Sequence, residues 1–317
     1  MKALSTNNLL NIRHIIDEAK CYKSVRDLRW PDGIVCPYCD AKAVIKHGKD
    51  DVEPNRQKYR CKACFRYFDD LTNTVFKGHH QPLSVWILCL YFMELNISNH
   101  QIAQELDLNK DDVHQMTIQL REGVVIRQPK VKLEGEVEFD EAYVVAGHKG
   151  NSKAVKEKGR EGRRNRLKGA RGRGTLEKEK PPIFGMMERG GEVIIQMLEN
   201  VRQKTIAPII QSTIVPGTKI YTDEYNIYSR LTEWGYDHHT VCHSHGEYAR
   251  DEDGDGFHEV HVNSIEGFWS LLRSWLRPHR GISQENLPLY IGFFQFVHNA
   301  KKRGKKLMES ALRLLLT

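Results

Sequence analysis

Apolar residues fall along the chain in blocks whose period changes, and the changes divide it into segments. Leu9, Ile12, Ile15 and Ile16 recur at helical spacing ahead of the turn Pro31-Asp32-Gly33, which predicts a short helix within residues 1–33. Residues 34–70 carry paired cysteines instead of a regular period. From 80 to 127 the helical period returns. Its first stretch, LSVWILCLYFMEL, is apolar nearly all round, as a buried helix is. Ile102, Ala103 and Leu106 then make one stripe, Asp107-Leu108-Asn109 breaks it, and Val113, Met116 and Leu120 make a second. Asp111 and Asp112 suit the first turn of that second helix.

Stretches 131–147 and 181–223 predict strands with one helix between them. In the first, Val137, Phe139, Tyr143 and Val145 share one strand face, and Glu138, Asp140 and Ala142 share the other. Residues 263–317 are helical again. At about 100° per residue, Ile265, Phe268, Trp269, Leu272 and Leu276 gather on one side, and Asn263, Glu266, Ser270, Arg273 and Arg277 on another. Leu289, Ile291, Phe293, Phe294, Leu312 and Leu315 read as packing.

Composition sharpens this. A chain of 317 residues exceeds one small domain, and 40% hydrophobic with 28% charged residues is enough to bury a core. The longest uncharged apolar run, Gly78 to Met93, falls short of the ~20 residues a bilayer needs. Arg13, Asp17 and Glu18 interrupt any signal-peptide core, so secretion and membrane insertion are not expected. The net charge of +7 is uneven. Residues 149–180 hold thirteen Lys or Arg against four Glu, a local +9 that leaves −2 for the rest. With six glycines and no aromatic, 148–180 reads as a mobile basic arm, and its partner as a polyanion, nucleic acid first. A flexible charged loop without a fixed role has the same composition.

Four of the seven cysteines form two CxxC pairs, Cys36/Cys39 and Cys61/Cys64. Four soft ligands on two tight turns suit a tetrahedral Zn²⁺, and four thiolates close its coordination sphere, so this zinc would be structural. Tyr59, Phe65, Tyr67 and Phe68, with Arg60, Lys62 and Arg66, flank the second pair; they either touch DNA or cover a small core. Cys89 reads as core, and Cys21 has no assignment. The two stripes of 99–122 suit a helix-turn-helix whose His114, Gln115 and Gln119 face outward toward a major groove, although any small helical hairpin has similar spacing.

Asp140 and Asp223 on strands and Glu266 on a helix form a set of hard oxygen ligands for Mg²⁺ or Mn²⁺. Two such ions can clamp the attacking and leaving oxygens of a phosphodiester, with Asp140 bridging them and Asp223 and Glu266 taking one each. Taken singly, each acid is as well explained as an exposed or capping residue. Residues 238–261 hold six histidines and Cys242, which suits either a second zinc site or a solvated loop. The run from Asp251 to Gly256 fails as a Ca²⁺ loop, since its twelfth position is Val262. There is no phosphate-binding GxxxxGK[ST].

In order, RWPDGIVCPYC, YRCKACFRYF, PLSVWILCLY, the two-helix segment, VEFDEAYVVAGHKG, the Gly/Arg arm, YTDEYNIYSRL and HEVHVNSIEGFWSLLRSWLR resemble bacterial insertion-sequence DDE transposases of the zinc-ribbon IS-fifteen-ninety-five (ISXO-two-like) group, over nearly the whole chain. The resemblance implies an α/β fold: a ribonuclease H-like catalytic domain (131–300), its mixed five-stranded sheet flanked by helices, behind a zinc ribbon (34–70) and a helix-turn-helix (80–127). A terminal helix (301–317) follows. It implies metal-binding positions at Asp140, Asp223 and Glu266, and a DNA contact at Arg273. Some members carry Asn as the third catalytic residue, and Asn263 stands there; Glu266 is favoured because a charged ligand holds Mg²⁺ better. His243 and His261 become active-site neighbours, and Glu138 a possible accessory. The arm, with Arg163, Arg164 and Arg166, would clamp DNA phosphates. The implied activity is cleavage of insertion-sequence ends and strand transfer into target double-stranded DNA, by a homodimer or larger assembly in the cytoplasm at the nucleoid. A DNA-binding regulator without catalysis, or a metal-dependent nuclease without strand transfer, would use many of the same residues.

Overall fold

The computed structural model describes residues 16–148, 152–157, 174–242, 247, 249–251, 254–256, 258–279, 281–304 and 306–317. The chain forms two compact units, Met1–Gln128 with Lys305–Thr317, and Pro129–Gly304. The last helix therefore belongs with the first unit.

In the first unit, α1 (Glu18–Arg29) starts at Asp17, whose carboxylate accepts the Ala19 amide at 2.8 Å. A three-stranded antiparallel sheet follows: β1 (Val44–Lys49), β2 (Gln57–Cys61) and β3 (Tyr67–Asp69). Helix α2 (Leu83–Glu94) is buried on most sides. Helices α3 (Asn99–Glu105) and α4 (Lys110–Arg127) are joined by a short turn in which Asp107 takes a left-handed φ of 49°. Ser98 and Gln101 form a reciprocal cap on α3, and Asn109 accepts the Asp111 amide to start α4. The terminal helix of this unit, Leu307–Leu316, packs on α1, α2 and α4 through Ala311, Leu312, Leu315 and Leu316. Gly123, in the middle of α4, makes room for it: a Cβ there would lie 2.6 Å from Leu315 Cδ2.

The second unit is built on one mixed sheet in the order β6-β5-β4-β7-β8. Its strands are β4 (Glu136–Tyr143), β5 (Pro182–Glu188), β6 (Val193–Met197), β7 (Lys219–Asp223) and β8 (Asp237–Val241). Strands β4, β5 and β6 are antiparallel neighbours, whereas β7 and β8 run parallel to β4. A short antiparallel pair, β9 (Ala249–Arg250) and β10 (Val260–His261), forms a separate two-stranded sheet that packs beside β7 and β8. The described helices are α5 (Ser152–Glu157), α6 (Gln203–Thr213), α7 (Asn263–Leu276) and α8 (Leu287–Lys302); the terminal helix is α9.

The alternation within β4 decides which helices cover which face. Val137 and Phe139 join Ile206 and Ile210 of α6 in one core. Ala142, on the other face, joins Ile265, Phe268, Trp269 and Leu272 of α7 and Ile291 and Phe294 of α8. Burying each of these α7 side chains contributes about 1.5–3 kcal/mol. The polar face of β4 thus meets a helix.

The end of the basic stretch is held in place. Ala146 donates to the Glu179 carbonyl, and the Gln284 side chain donates to the carbonyls of Ala146 and Leu176, tying residues 174–180 to the body. No described helix is long and apolar enough to cross a membrane.

Candidate metal and nucleic-acid sites

The four cysteines of the first unit converge. Their sulfurs all lie within 4.8 Å of one another, with Cys36–Cys64 at 3.6 Å and Cys39–Cys61 at 3.7 Å. Zinc–sulfur bonds of about 2.3 Å in a tetrahedron set sulfurs roughly 3.8 Å apart, so the donor set and its spacing fit Zn²⁺. Each pair is followed by a residue with left-handed backbone, Asp40 (φ 56°) and Phe65 (φ 60°), which turns the chain away after the second sulfur. The Cys64 and Ala63 amides point at the Cys61 sulfur and push its thiol down, while burial and the other sulfurs push the thiols of Cys36 and Cys39 up.

The aromatics around these cysteines divide into buried and exposed rings. Tyr59 and Phe68 are buried with Trp30 in the ribbon core. Phe65 is 65% exposed and Tyr67 55%, and Arg60 lies over both rings at 5.9 and 5.6 Å. Arg66 lies 5.0 Å from the Tyr38 ring. On α4, Gln115 is exposed, while Gln119 and His114 are half-buried and the His114 ring sits 3.3 Å from the Asn99 amide.

In the second unit the carboxylates come together from three elements. Register pairs Glu138 with Tyr221; continued two residues along the parallel strands, it sets Asp140 beside Asp223 at the end of β7. Helix α7 carries Glu266 and Asn263 in its first turn, both exposed, and Arg273 two turns on, also exposed. The Asp140 carboxyl is pushed up to about 6, chiefly by burial and further by the negative charges of Asp223 and Glu266. Trp269 of α7 donates its indole N–H to Asp140 at 2.9 Å. Gly185 of β5, paired with Asp140, makes that contact possible: a Cβ there would lie 2.5 Å from the indole ring. Among the described residues the four cysteines form a cluster of metal-ligating atoms, and Asp140, Asp223 and Glu266 are not drawn into one.

Glu138 differs from its neighbour on the strand face. It is fully buried, accepts from Arg189 at 2.8 Å and from the Ile265 amide at 3.0 Å, and is therefore committed within the fold. Sequence reasoning missed Arg189, Trp269 as a partner of Asp140, and Gly185. A glycine inside an apolar strand was the one available signal. His261 has its Nδ1 3.3 Å from Glu138, and burial together with Arg189 holds it below the usual histidine range. His238 is pushed down to about 4 by burial, 2.9 Å from the Thr222 hydroxyl. Arg163, Arg164, Arg166, His243 and His245 lie outside the described residues.

The ISXO2-like transposase domain family matches residues 132–299, and the transposase zinc-ribbon domain family matches residues 16–66. The chain belongs to the ISXO2-like transposase family. An uncharacterized protein in transposable element ISH50 of Halobacterium salinarum is 33% identical over 312 residues, covering 97% of this chain and 100% of that protein. An uncharacterized transposase-like protein of Haemophilus influenzae is 27% identical over 32% of this chain and 75% of its own length. Among solved structures, a simian T-cell lymphotropic virus intasome in complex with PP2A regulatory subunit B56 gamma matches at 9% identity, with a TM-score of 0.29, over 66% of this chain and 67% of that one. That likeness is too slight to build on. For an ISXO2-like transposase, the ribbon match and the four converging sulfurs together support a structural zinc in the first unit.

Proposed function

We propose that this transposase cuts the ends of its insertion sequence and joins them to target DNA, using Mg²⁺ or Mn²⁺ held by Asp140, Asp223 and Glu266. The observation that carries this reading is the Asp140 carboxyl on β4, raised chiefly by burial and further by the charges of Asp223 and Glu266 from two other elements. Carboxylates gathered this way repel one another until a divalent cation offsets their charge. Such an ion supplies charge stabilisation at the reacting phosphate. The chain's own part is to hold the oxygens: Trp269 orients Asp140, the Tyr225 amide donates to Asp223 Oδ1 at 3.0 Å, and α7 presents Glu266. Asn263, in the same turn, orients a ligand or a DNA phosphate, and Arg273 on the exposed side of α7 contacts DNA near the cut.

The sheet, with its three antiparallel strands, two further parallel ones and helices on both faces, supports a ribonuclease H-like catalytic domain. Helices α3 and α4 support a helix-turn-helix that reads the element ends through Gln115, with Gln119 and His114 beside it. The exposed Phe65 and Tyr67 with their stacked Arg60 suit nucleic acid as well. Arg163, Arg164 and Arg166 add phosphate contacts, and a dimer or larger assembly brings two ends together.

The test is a cleavage and joining assay on the gene's flanking DNA with Mg²⁺ or Mn²⁺. Asp140→Asn is expected to lower cutting at least about a thousandfold while leaving end binding intact. Glu266→Gln and Asn263→Ala, run beside it, name the third ligand. End binding without cutting by wild type would make the chain a regulator, and cutting without joining would make it a nuclease.

A further inference from the structure

Helix α7 begins without a cap of its own: Val262 occupies the N-cap and offers no side-chain acceptor. The missing acceptor arrives from a strand far away in sequence. Glu138 Oε2 takes the Ile265 amide at 3.0 Å, so a buried carboxylate sits at the positive end of the helix that carries Glu266. Its charge is offset by Arg189, whose Nε donates to Glu138 Oε1 at 2.8 Å.

Arg189 reaches further than this pair. Its Nη1 donates to Glu136 at 3.2 Å, and its Nη2 donates to the His261 carbonyl at 2.9 Å. Its guanidinium lies 3.9 Å from the centre of the Tyr221 ring, and the Tyr221 hydroxyl donates to Glu136 at 3.1 Å. One side chain thus touches β4, β7 and the segment entering α7. Three of its four contacts fall two residues before a site residue: Glu138 before Asp140, Tyr221 before Asp223, His261 before Asn263. On a strand, residues two apart share a face, so fixing Glu138 and Tyr221 fixes the direction of Asp140 and Asp223, while the His261 contact holds the chain where it enters α7. A buried carboxylate is costly unless it is paired and fully hydrogen-bonded, and here all the pairing serves the junction of these three elements.

We propose that Arg189 and Glu138 are positioning residues for the divalent-metal site: together they clamp the start of α7 to β4 and β7, and so set Glu266 against Asp140 and Asp223. The proposal rests on the metal-dependent reading given above. A planar fork with donors in three directions does this, and a lysine, which delivers one charge at one point, does not.

The experiment measures Mn²⁺ binding directly, from the paramagnetic resonance signal of free Mn²⁺, on the full chain with zinc bound. Wild type, Arg189→Gln, Arg189→Lys, Glu138→Gln and Asp140→Asn are compared. Arg189→Gln and Glu138→Gln are expected to weaken Mn²⁺ binding about 10-fold or more, as loss of a ligand's supporting partner does. Arg189→Lys keeps the charge and serves if those variants fail to fold; it is expected to weaken Mn²⁺ about threefold to tenfold. In all three, cutting should recover in excess Mn²⁺ with the affinity for end DNA unchanged, a pattern that a purely structural role does not produce. Mn²⁺ affinity of Arg189→Lys within about twofold of wild type, while Asp140→Asn loses binding, would overturn the positioning role and leave the metal reading standing. Wild type that binds no more Mn²⁺ than Asp140→Asn would overturn both.

Discussion

The two candidate metal sites of this chain are organised in opposite ways. In the ribbon, four sulfurs come from two tight turns and are already in mutual contact distance. In the sheet unit, three carboxylates come from β4, β7 and α7, and the charges of Asp223 and Glu266 add to the burial that raises the Asp140 carboxyl. A soft closed site is assembled by local turns with a small aromatic core, so the metal itself is a large part of its stability. A hard open site is assembled by a sheet and a helix that fold for other reasons, so the metal is not needed to hold it together.

The largest effect that would sharpen this contrast is zinc removal. Structural zinc contributes about 10–16 kcal/mol of apparent binding energy in small zinc-binding peptides. Chelation, or Cys61→Ser, is therefore expected to collapse the amide resonances of the ribbon while those of β4 to β8 persist. A ribbon that keeps its dispersed resonances without zinc would break the comparison. Next comes pH. The neutral form of Asp140 is favoured in the folded chain, with its carboxyl pushed from 3.8 up to about 6. Its stabilising contribution is full below about pH 4 and is lost as pH rises through about 6, worth about 3 kcal/mol at most. Without divalent cation, melting temperature should fall across that window more in wild type than in Asp140→Asn, and Mn²⁺ should remove the difference.

A smaller effect is expected from Gly185→Ala. The new methyl meets the Trp269 ring, and overpacking of this kind costs about 1–3 kcal/mol. Thermal unfolding should show that loss, with cutting reduced as Trp269 leaves Asp140. The smallest stability effect belongs to Phe65→Ala. An exposed ring should change stability by less than about 0.5 kcal/mol, while end-DNA affinity, followed by fluorescence anisotropy, falls. Unchanged affinity would return Phe65 to the role of a plain surface residue.

Legibility in the sequence follows the same division. The CxxC pairs announce the ribbon because tight turns set the ligand spacing along the chain itself. The strand of Glu138 and Asp140 and the helix of Glu266 are equally plain, since periods of 2 and 3.6 survive in the apolar pattern. The role of Glu138 was not legible, because its partners Ile265 and Arg189 lie far off in sequence and only the fold brings them near. Nor was the end of the basic arm, where buried Glu179 and the Gln284 hydrogen bonds overrule a composition typical of loose chain. The split aromatic cluster shows the same limit. Composition placed four rings beside the cysteines; the pleat of β2 and β3 decided the direction of Tyr59, Tyr67 and Phe68, and the left-handed turn at Phe65 left that ring outside.

Helix α9 has a consequence for the order of synthesis. It completes the first unit by packing on α1, α2 and α4, with Leu315 seated over Gly123, yet it follows the whole of Pro129–Gly304. On the ribosome, the sheet unit is therefore ready to fold before the first unit receives its last helix, the reverse of the usual amino-terminal precedence. A nascent chain not yet extended past Gly304 would carry every site carboxylate, but its ribbon unit would lack a wall of its core.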